Sequence, residues 1–493
     1  MKTILHKYFL ILDTGKILVV FFLLTMFLPR IVKKGMFGDG LLYSSMSRNL
    51  AEGRGSYWQP FFSSSYWLED MPTTYFENPP LMIWVQSLFF KILGDHWWTE
   101  KLFCVVILMV NIWIFKKLWV AIFYQKIEYQ KYWHLVPFWW FLIPVVIWGN
   151  VNNLMDNMLL TFCLSALYFI MKSIQYENVN EIKYAVLAGG SIFFGVLTKG
   201  PVALYPIAFP AILWLTNLTT FRRAFLTSLL SFLVAFGILT LLLAFQAEAH
   251  YFFNQYWEQR LKAVITGSRD DMILKGWDRL FIVKQLLIEL SPMIGIMIIA
   301  AIVLKINKIN LLFQDQRREI FAFVLLGLSA TLPILASTKQ SGIYLIPGIP
   351  MFSIAAAIIS VPVFRYISTT KKWNILKFNL GYFAFSGCII VLIFSFLQFG
   401  KPGREEALIH DVELLKSHVP DGSKVGVCKA MMSEFVLHTY LQRMNKYELT
   451  DYTNNPEYIL SDHFCNNKNI PQRWSEYHHP EADEFLYFKV YKR

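Results

Sequence analysis

Charge is what this chain has little of. Asp, Glu, Lys and Arg make up 16% of its 493 residues, where a soluble domain carries about a quarter. Acids are scarcer still, 34 against 46 Lys and Arg. That deficit argues against an ordinary soluble enzyme. Five cysteines are scattered without paired metal-ligand spacing. Cys104, Cys163 and Cys388 lie in apolar runs and read as small buried hydrophobes. There is no internal repeat and no low-complexity tract. A small-residue cleavage site is also missing after the first apolar run, so that run reads as a membrane span and not a removed signal.

What remains is apolar. Hydrophobic residues make up 55%, aromatics 17%, and mean hydropathy is +0.42. The pattern predicts a polytopic, all-α membrane protein. Eleven spans are expected, over residues 17–32, 102–115, 133–148, 158–171, 184–197, 201–215, 224–245, 293–304, 320–336, 343–359 and 378–399. Residues 81–93 form a shorter apolar run, suited to a re-entrant or interfacial helix. The net charge of +12 would suggest nucleic acid in a soluble chain. Here the cations sit in short loops and set topology, so no nucleic-acid partner is expected.

With the N-terminus in the cytoplasm, every inner loop is basic: Lys116 and Lys117, Lys172 and Lys183, Arg222 and Arg223, Arg317 and Arg318, Lys371 and Lys372. Arg30, Lys33 and Lys34 are the exception, at the outer end of the first span. The membrane part covers residues 1–400. Residues 401–493 are mixed and polar and read as a small extracytoplasmic α/β domain. Strands are expected at 424–427 and 484–491 and a helix over 431–444. Cys428 and Cys465 are equally compatible with a disulfide and with two free thiols.

The unusual polar residues gather on the outer side. The loop 36–80 is too polar to cross and too long for a turn. Leu41, Leu42, Met46 and Leu50 recur at helical spacing with Ser44, Ser45, Arg48 and Asn49 between them, which predicts a helix lying in the interface. Asp39 and Glu77 belong to this loop and Asp156 to the next outer turn. Lys199, Arg260, Arg269, Lys339 and Tyr344 come from three others. Acids and bases converging at one membrane edge suit an anionic lipid headgroup. Simpler roles compete: Asp39 and Asp156 as helix caps, Glu77 as a solvated acid, Lys199 and Lys339 as snorkelling lysines, Tyr344 as a belt aromatic. Asp39, Glu77 and Asp156 are also oxygen ligands suited to Mg²⁺, Mn²⁺ or Zn²⁺, although no metal is required.

Four segments carry a resemblance: GDGLLYSSMSRNLAEGRGSYW, YFENPPLMIWVQSLFFKILGD, LTKGPVALYP and TKQSGIYLIPGIPMFSIAAA. In this order they resemble the dolichyl-phosphate-mannose protein mannosyltransferase superfamily over residues 10–400, most of all its bacterial branch with the lipid A aminoarabinose transferases. The resemblance implies a GT-C fold and inverting transfer of a sugar from a polyprenyl-phosphate donor to a lipid, glycan or protein at the cytoplasmic (inner) membrane. It places the catalytic acid on Asp39 and a loop-closing motif on Glu77, Asn78 and Pro79, with Tyr43 nearby. The family's second acid is Gly40 here, and its Lys is Asn78. Phosphate charge then falls to Arg260, Lys339 and Tyr344, with Arg269 and Lys199 in support. The alternatives are a lipid-linked sugar flippase, which would favour midplane charges and repeated halves, and a non-catalytic member of the same scaffold.

Overall fold

A computed structural model describes residues 14–65, 74–176, 179–262, 266, 276–306, 316–337, 339–369, 371–461, 465, 475–476, 485–487 and 489–492. The first half carries α1 (Thr14–Ile31), α2 (Gly38–Ala51), α3 (Leu81–Leu93), α4 (Thr99–Ile122), α5 (Leu135–Phe141), α6 (Pro144–Val151), α7 (Met155–Gln175), α8 (Val179–Lys199), α9 (Phe209–Leu215) and α10 (Phe221–Phe245). After them come α11 (Ala247–Tyr256), α12 (Phe281–Ile306), α13 (Arg317–Thr331), α14 (Ile349–Thr369), α15 (Lys371–Gln398), α16 (Glu406–Leu415) and α17 (Phe435–Asn445).

Among the described residues nine helical runs are long and apolar enough to cross a membrane, against eleven expected. The difference has two sources. The expected span 133–148 is broken into α5 and α6 at Pro144, which cannot continue a helix from its N-terminal side. The run Val179–Leu215 is continuous in length, but the chain turns at Gly200, where φ is +71°. The 3₁₀ segment Gly200–Ala208 then packs back on α8: a Cβ on Gly195 would lie 2.8 Å from that of Ala203.

Two other boundaries move. Expected span 293–304 extends to Phe281–Ile306 because Glu289, which interrupts the apolar pattern, is buried as the acceptor for the Val145 N–H at 2.8 Å. Expected span 343–359 starts later, at Ile349, after a 3₁₀ turn at Gly342–Leu345.

The expected helix of the first loop forms as α2, but it does not lie in the interface with a wetted polar face. Every residue from Gly40 to Asn49 is buried. The burial is tolerable because its hydroxyls are satisfied locally: Ser44, Ser45 and Ser47 donate to the carbonyls of Gly40, Leu41 and Tyr43 at 2.7–2.8 Å. The cover is α17, from the far end of the chain. The guanidinium of Arg48, 1% exposed, donates to the backbone carbonyls of Gln442 and Arg443 at 2.9 and 3.0 Å. A cation thereby caps the last turn of α17, where unpaired carbonyls and the helix dipole favour it.

The tail holds a five-stranded sheet in the order β2-β1-β3-β5-β4, built from β1 (Lys424–Val427), β2 (Glu448–Asp451), β3 (Tyr458–Ser461), β4 (Ser475–Glu476) and β5 (Lys489–Lys492). β1 is parallel to β2 and β3, in register Val425 with Leu449 and Tyr458; β5 is antiparallel to β3 and β4. α17 is the crossover that the parallel β1–β2 pair requires. The helix expected over 431–444 is split, a single turn Lys429–Met432 preceding α17. Of the strand expected at 484–491, residues 489–491 fall in β5, while Phe485, Leu486 and Tyr487 lie in a bend before it. Cys428 and Cys465 are joined in a disulfide, Cα–Cα 5.9 Å.

Candidate active site

α2 starts beside the turn between α6 and α7. The Phe37 N–H donates to Asn152 Oδ1 at 2.7 Å, and Asn153 Nδ2 donates to the Gly40 carbonyl at 3.0 Å and Ser44 Oγ at 2.9 Å. Asn153 holds this turn with φ of 53°, a left-handed conformation that Asn tolerates. The approach is close enough that a Cβ on Gly40 would stand 2.1 Å from the Asn152 carbonyl oxygen. An acid at position 40 therefore has no room, whereas Asp39 does.

Asp39 is not the N-cap of α2. The cap position is Phe37, and Asp39 lies in the first turn, where the helix dipole already favours a carboxylate. Burial nonetheless pushes its carboxyl up to about 6. Lys199 and Arg260 pull the other way, while Glu77 and Asp156 add to the rise. An acid titrating there is poised for proton transfer near neutral pH.

Asp156 is likewise no cap. It sits in the first turn of α7, 2.5 Å from the ammonium of Lys199 at the end of α8. Lys199 is thus a half-buried partner of Asp156 and not a snorkelling side chain. Its ammonium also lies 5.4 Å from the Tyr344 ring centroid. The turn beneath it requires glycine twice over: Gly200 has positive φ, and a Cβ there would meet Tyr256 Oη at 2.3 Å.

Glu77 is not a lone solvated acid either. Its carboxylate lies 3.7 Å from the guanidinium of Arg260, just beyond α11. Burial works against the charge of Arg260, but Glu77, Tyr344, Tyr75 and Tyr256 outweigh it and hold the guanidinium more firmly charged than usual.

Asn78 donates to Tyr75 Oη at 2.8 Å, and Tyr75 packs edge-on to Tyr43, 6.3 Å between ring centroids. Burial holds both phenols well above their ordinary value, so they are neutral hydrogen-bonding groups. Tyr75, Asn152 and Asn153 carry much of this geometry without having been singled out for a role. Their sequence signal is slight: a tyrosine before Glu77, and a run of asparagines at the end of an apolar segment.

The structure therefore brings together Asp39, Glu77, Asp156, Lys199, Arg260 and Tyr344. Lys339 is exposed in the turn before Tyr344, its carbonyl accepting from Ser337 Oγ at 2.7 Å. Arg269 lies outside the described residues. No three His, Cys, Asp or Glu side chains among the described residues are placed to share a metal. Asp39, Glu77 and Asp156 do not form a ligand set, since Glu77 and Asp156 each face a cation. Beside Gly200 and Tyr256 opens an apolar cavity of about 330 Å³, walled by Val196, Leu204, Phe236, Leu239, Phe253 and Trp257.

An acid in the first loop, cations from two other loops and an apolar groove beside them thus lie together on a bundle of membrane-length helices. Residues 77–247 match the family profile of dolichyl-phosphate-mannose-protein mannosyltransferase. The fold matches that of ArnT from Cupriavidus metallidurans bound to undecaprenyl phosphate, with TM-score 0.65, 13% identity, and coverage of 97% of this chain and 98% of that one. The apo state of the same protein gives TM-score 0.61 at 13% identity over 96% of each chain. The apo oligosaccharyltransferase of Archaeoglobus fulgidus gives 0.54 at 11% identity, over 91% of this chain and 69% of that one. Among curated proteins compared by sequence, none matches. The family match thus covers about a third of the chain, and the likeness to ArnT over nearly its whole length is one of fold.

Proposed function

We propose that this protein transfers a sugar from a polyprenyl-phosphate donor to an extracytoplasmic acceptor, with inversion at the anomeric carbon. The observation that carries this reading is Asp39, a half-buried carboxyl titrating near 6 between paired acids and bases. Its carboxylate takes the proton of an acceptor hydroxyl as that oxygen bonds to the anomeric carbon. The bond from that carbon to the phosphate oxygen breaks, and the electron pair leaves with the polyprenyl phosphate. Arg260 and Tyr344, with Lys199 behind them, meet the charge that develops there; such pre-placed groups supply much of the rate in sites of this kind. Lys339 and Arg269 serve as further phosphate ligands. The cavity beside Gly200 and Tyr256 receives the first isoprenes of the donor. Asn78 and Tyr43 support the acceptor side through Tyr75. The protein works in the bacterial inner membrane, with its N-terminus in the cytoplasm and its tail outside. Gly40 does not argue for a non-catalytic scaffold, because the close approach of Asn152 accounts for it.

The test uses purified protein with a panel of radiolabelled polyprenyl-phosphate sugars and a membrane extract as acceptor pool. Label should move with wild type and not with Asp39→Asn. Full transfer by the variant would remove Asp39 from the chemistry. No transfer by wild type from any donor, with binding retained, would favour a flippase.

A further inference from the structure

Arg30, Lys33 and Lys34, which break the topology rule, lie at the end of α1, nine residues or fewer before Asp39 and so on the same membrane face. The chain brings more cations to them from its other end. The Gly400 N–H donates to the Val32 carbonyl at 3.0 Å, the Lys34 N–H to the Lys401 carbonyl at 2.9 Å, and the Gly403 N–H to the Lys34 carbonyl at 3.0 Å. This short ladder joins the ends of α1 and α15 and sets Lys401 and Arg404 beside Lys33 and Lys34. Both helices end their apolar runs immediately before it, at Ile31 and Gln398, so the cations stand at headgroup depth.

Compensation is incomplete. Lys34 pairs with Glu413 at 2.5 Å and Arg404 with Glu405 at 3.5 Å. For Arg30, Lys33 and Lys401 no carboxylate partner occurs among the described residues; Arg30 donates only to the Met26 carbonyl of its own helix. Positive charge on this face opposes the orientation that the other loops impose.

The patch continues inward through Lys34 to a polar cavity of about 340 Å³ with Trp97, Tyr440 and Lys416 in its wall. Lys101 lines it too, 6% exposed, with the Gly35 carbonyl at 2.8 Å as its one described acceptor. Of the cavity's acids, Asp95 and Glu100 are engaged by Arg443 and Glu413 by Lys34, and Asp421 stands at the exposed rim.

We propose that the joined ends of α1 and α15, with the Lys34–Lys101 cavity, hold the phosphate of a net-negative phospholipid from the leaflet on the Asp39 side. Cations at headgroup level with apolar helices below them match an anionic headgroup above acyl chains. The site is separate from the donor groove and does not rest on the proposed transfer reaction.

The test is native mass spectrometry of the full chain titrated with phosphatidylglycerol or phosphatidylcholine. Wild type should prefer phosphatidylglycerol by at least about tenfold, and Arg30→Gln/Lys33→Gln/Lys401→Gln should lose the preference, at about fivefold per cation. Lys33→Arg/Lys401→Arg should keep it, and so should Lys199→Met. Equal binding of the two lipids by wild type would overturn the proposal, as would an unchanged preference in the triple Gln variant. Loss of preference in Lys199→Met would place the lipid in the donor site and overturn it as well. Should the triple variant melt early, the exposed Lys401→Gln carries the same readout, and an undiminished preference there would overturn the proposal too.

Discussion

α2 carries a charged cluster at each end, and the two are built to opposite rules. At its start, Asp39 is buried enough to be pushed up to about 6, and the cations that oppose the rise, Lys199 and Arg260, are already engaged with Asp156 and Glu77. At its end, Arg48 and Arg443 are more deeply buried and tied by several hydrogen bonds each, with Arg48 Nε alone left without a partner among the two guanidinium groups' described contacts. Arg48 spends its guanidinium on two carbonyls, Gln442 Oε1 and Asn49 Oδ1. Arg443 holds Glu100 at 2.7 Å, Asp95 at 2.8 Å and the His96 carbonyl at 2.9 Å. The lesson is that buried charge does not by itself mark an active site. A carboxyl held away from its ordinary titration range, with its neighbours spoken for, marks chemistry; a dense set of bonds between distant parts of the chain marks architecture.

The sharpest way to break this comparison is at Asp39. Asp39→Asn should lower transfer by about 10²–10⁴-fold, the usual worth of a positioned base. Its stability should move the other way. The folded carboxyl binds its proton more tightly than the unfolded one, so its contribution to stability is full below pH 4 and is lost as pH rises through 6. The variant should therefore melt at or above wild type at pH 7.5, by scanning calorimetry, and lose that advantage at pH 4.

Arg443→Met should do the reverse. It leaves Glu100 without its cation and Asp95 with only Lys446 at 3.6 Å and Arg48 at 4.0 Å, at a cost of about 3–5 kcal/mol, read as a drop in melting temperature with the activity per folded molecule largely kept. A variant with unchanged melting and lost turnover would overturn the division.

Next in size is Arg260→Gln. A charge-assisted bond to the leaving phosphate is worth about 1.5–3 kcal/mol, so kcat/KM should fall by about 10–150-fold, which steady-state kinetics would measure.

The smallest effect concerns pH. With Asp39 as base, kcat/KM should rise with pH through about 6 and level off. Because Lys199 lowers the Asp39 titration, Lys199→Met should shift that midpoint upward; a downward shift would mean that Lys199 does not act on Asp39.

Much of the site was legible because a membrane chain has few places to put polar side chains. Asp39, Glu77, Asp156, Lys199, Arg260 and Tyr344 sit at the edges of apolar runs, and the bundle gathers them at one end. Their pairing was not legible, because Asp156 with Lys199 and Glu77 with Arg260 depend on how loops meet, and periodicity carries no such information. The helices were legible where apolar runs are unbroken. They were misjudged where a polar residue is satisfied inside the bundle, as at Glu289, or where the chain reverses at a single glycine, as at Gly200. The burial of α2 was the least accessible feature. Its serines and Arg48 look like a wetted face until α17 is seen to cover them.

That cover has a consequence for the order in which the protein is made. α2 leaves the ribosome among the first fifty or so residues, but the carbonyls that receive Arg48 belong to Gln442 and Arg443. During synthesis the polar side of α2 waits through nearly the whole insertion of the bundle before its partner emerges. The long closure this demands is slow by nature. A chain that stops short of α17 would reach the membrane with its helices in place and the polar side of α2 still uncovered.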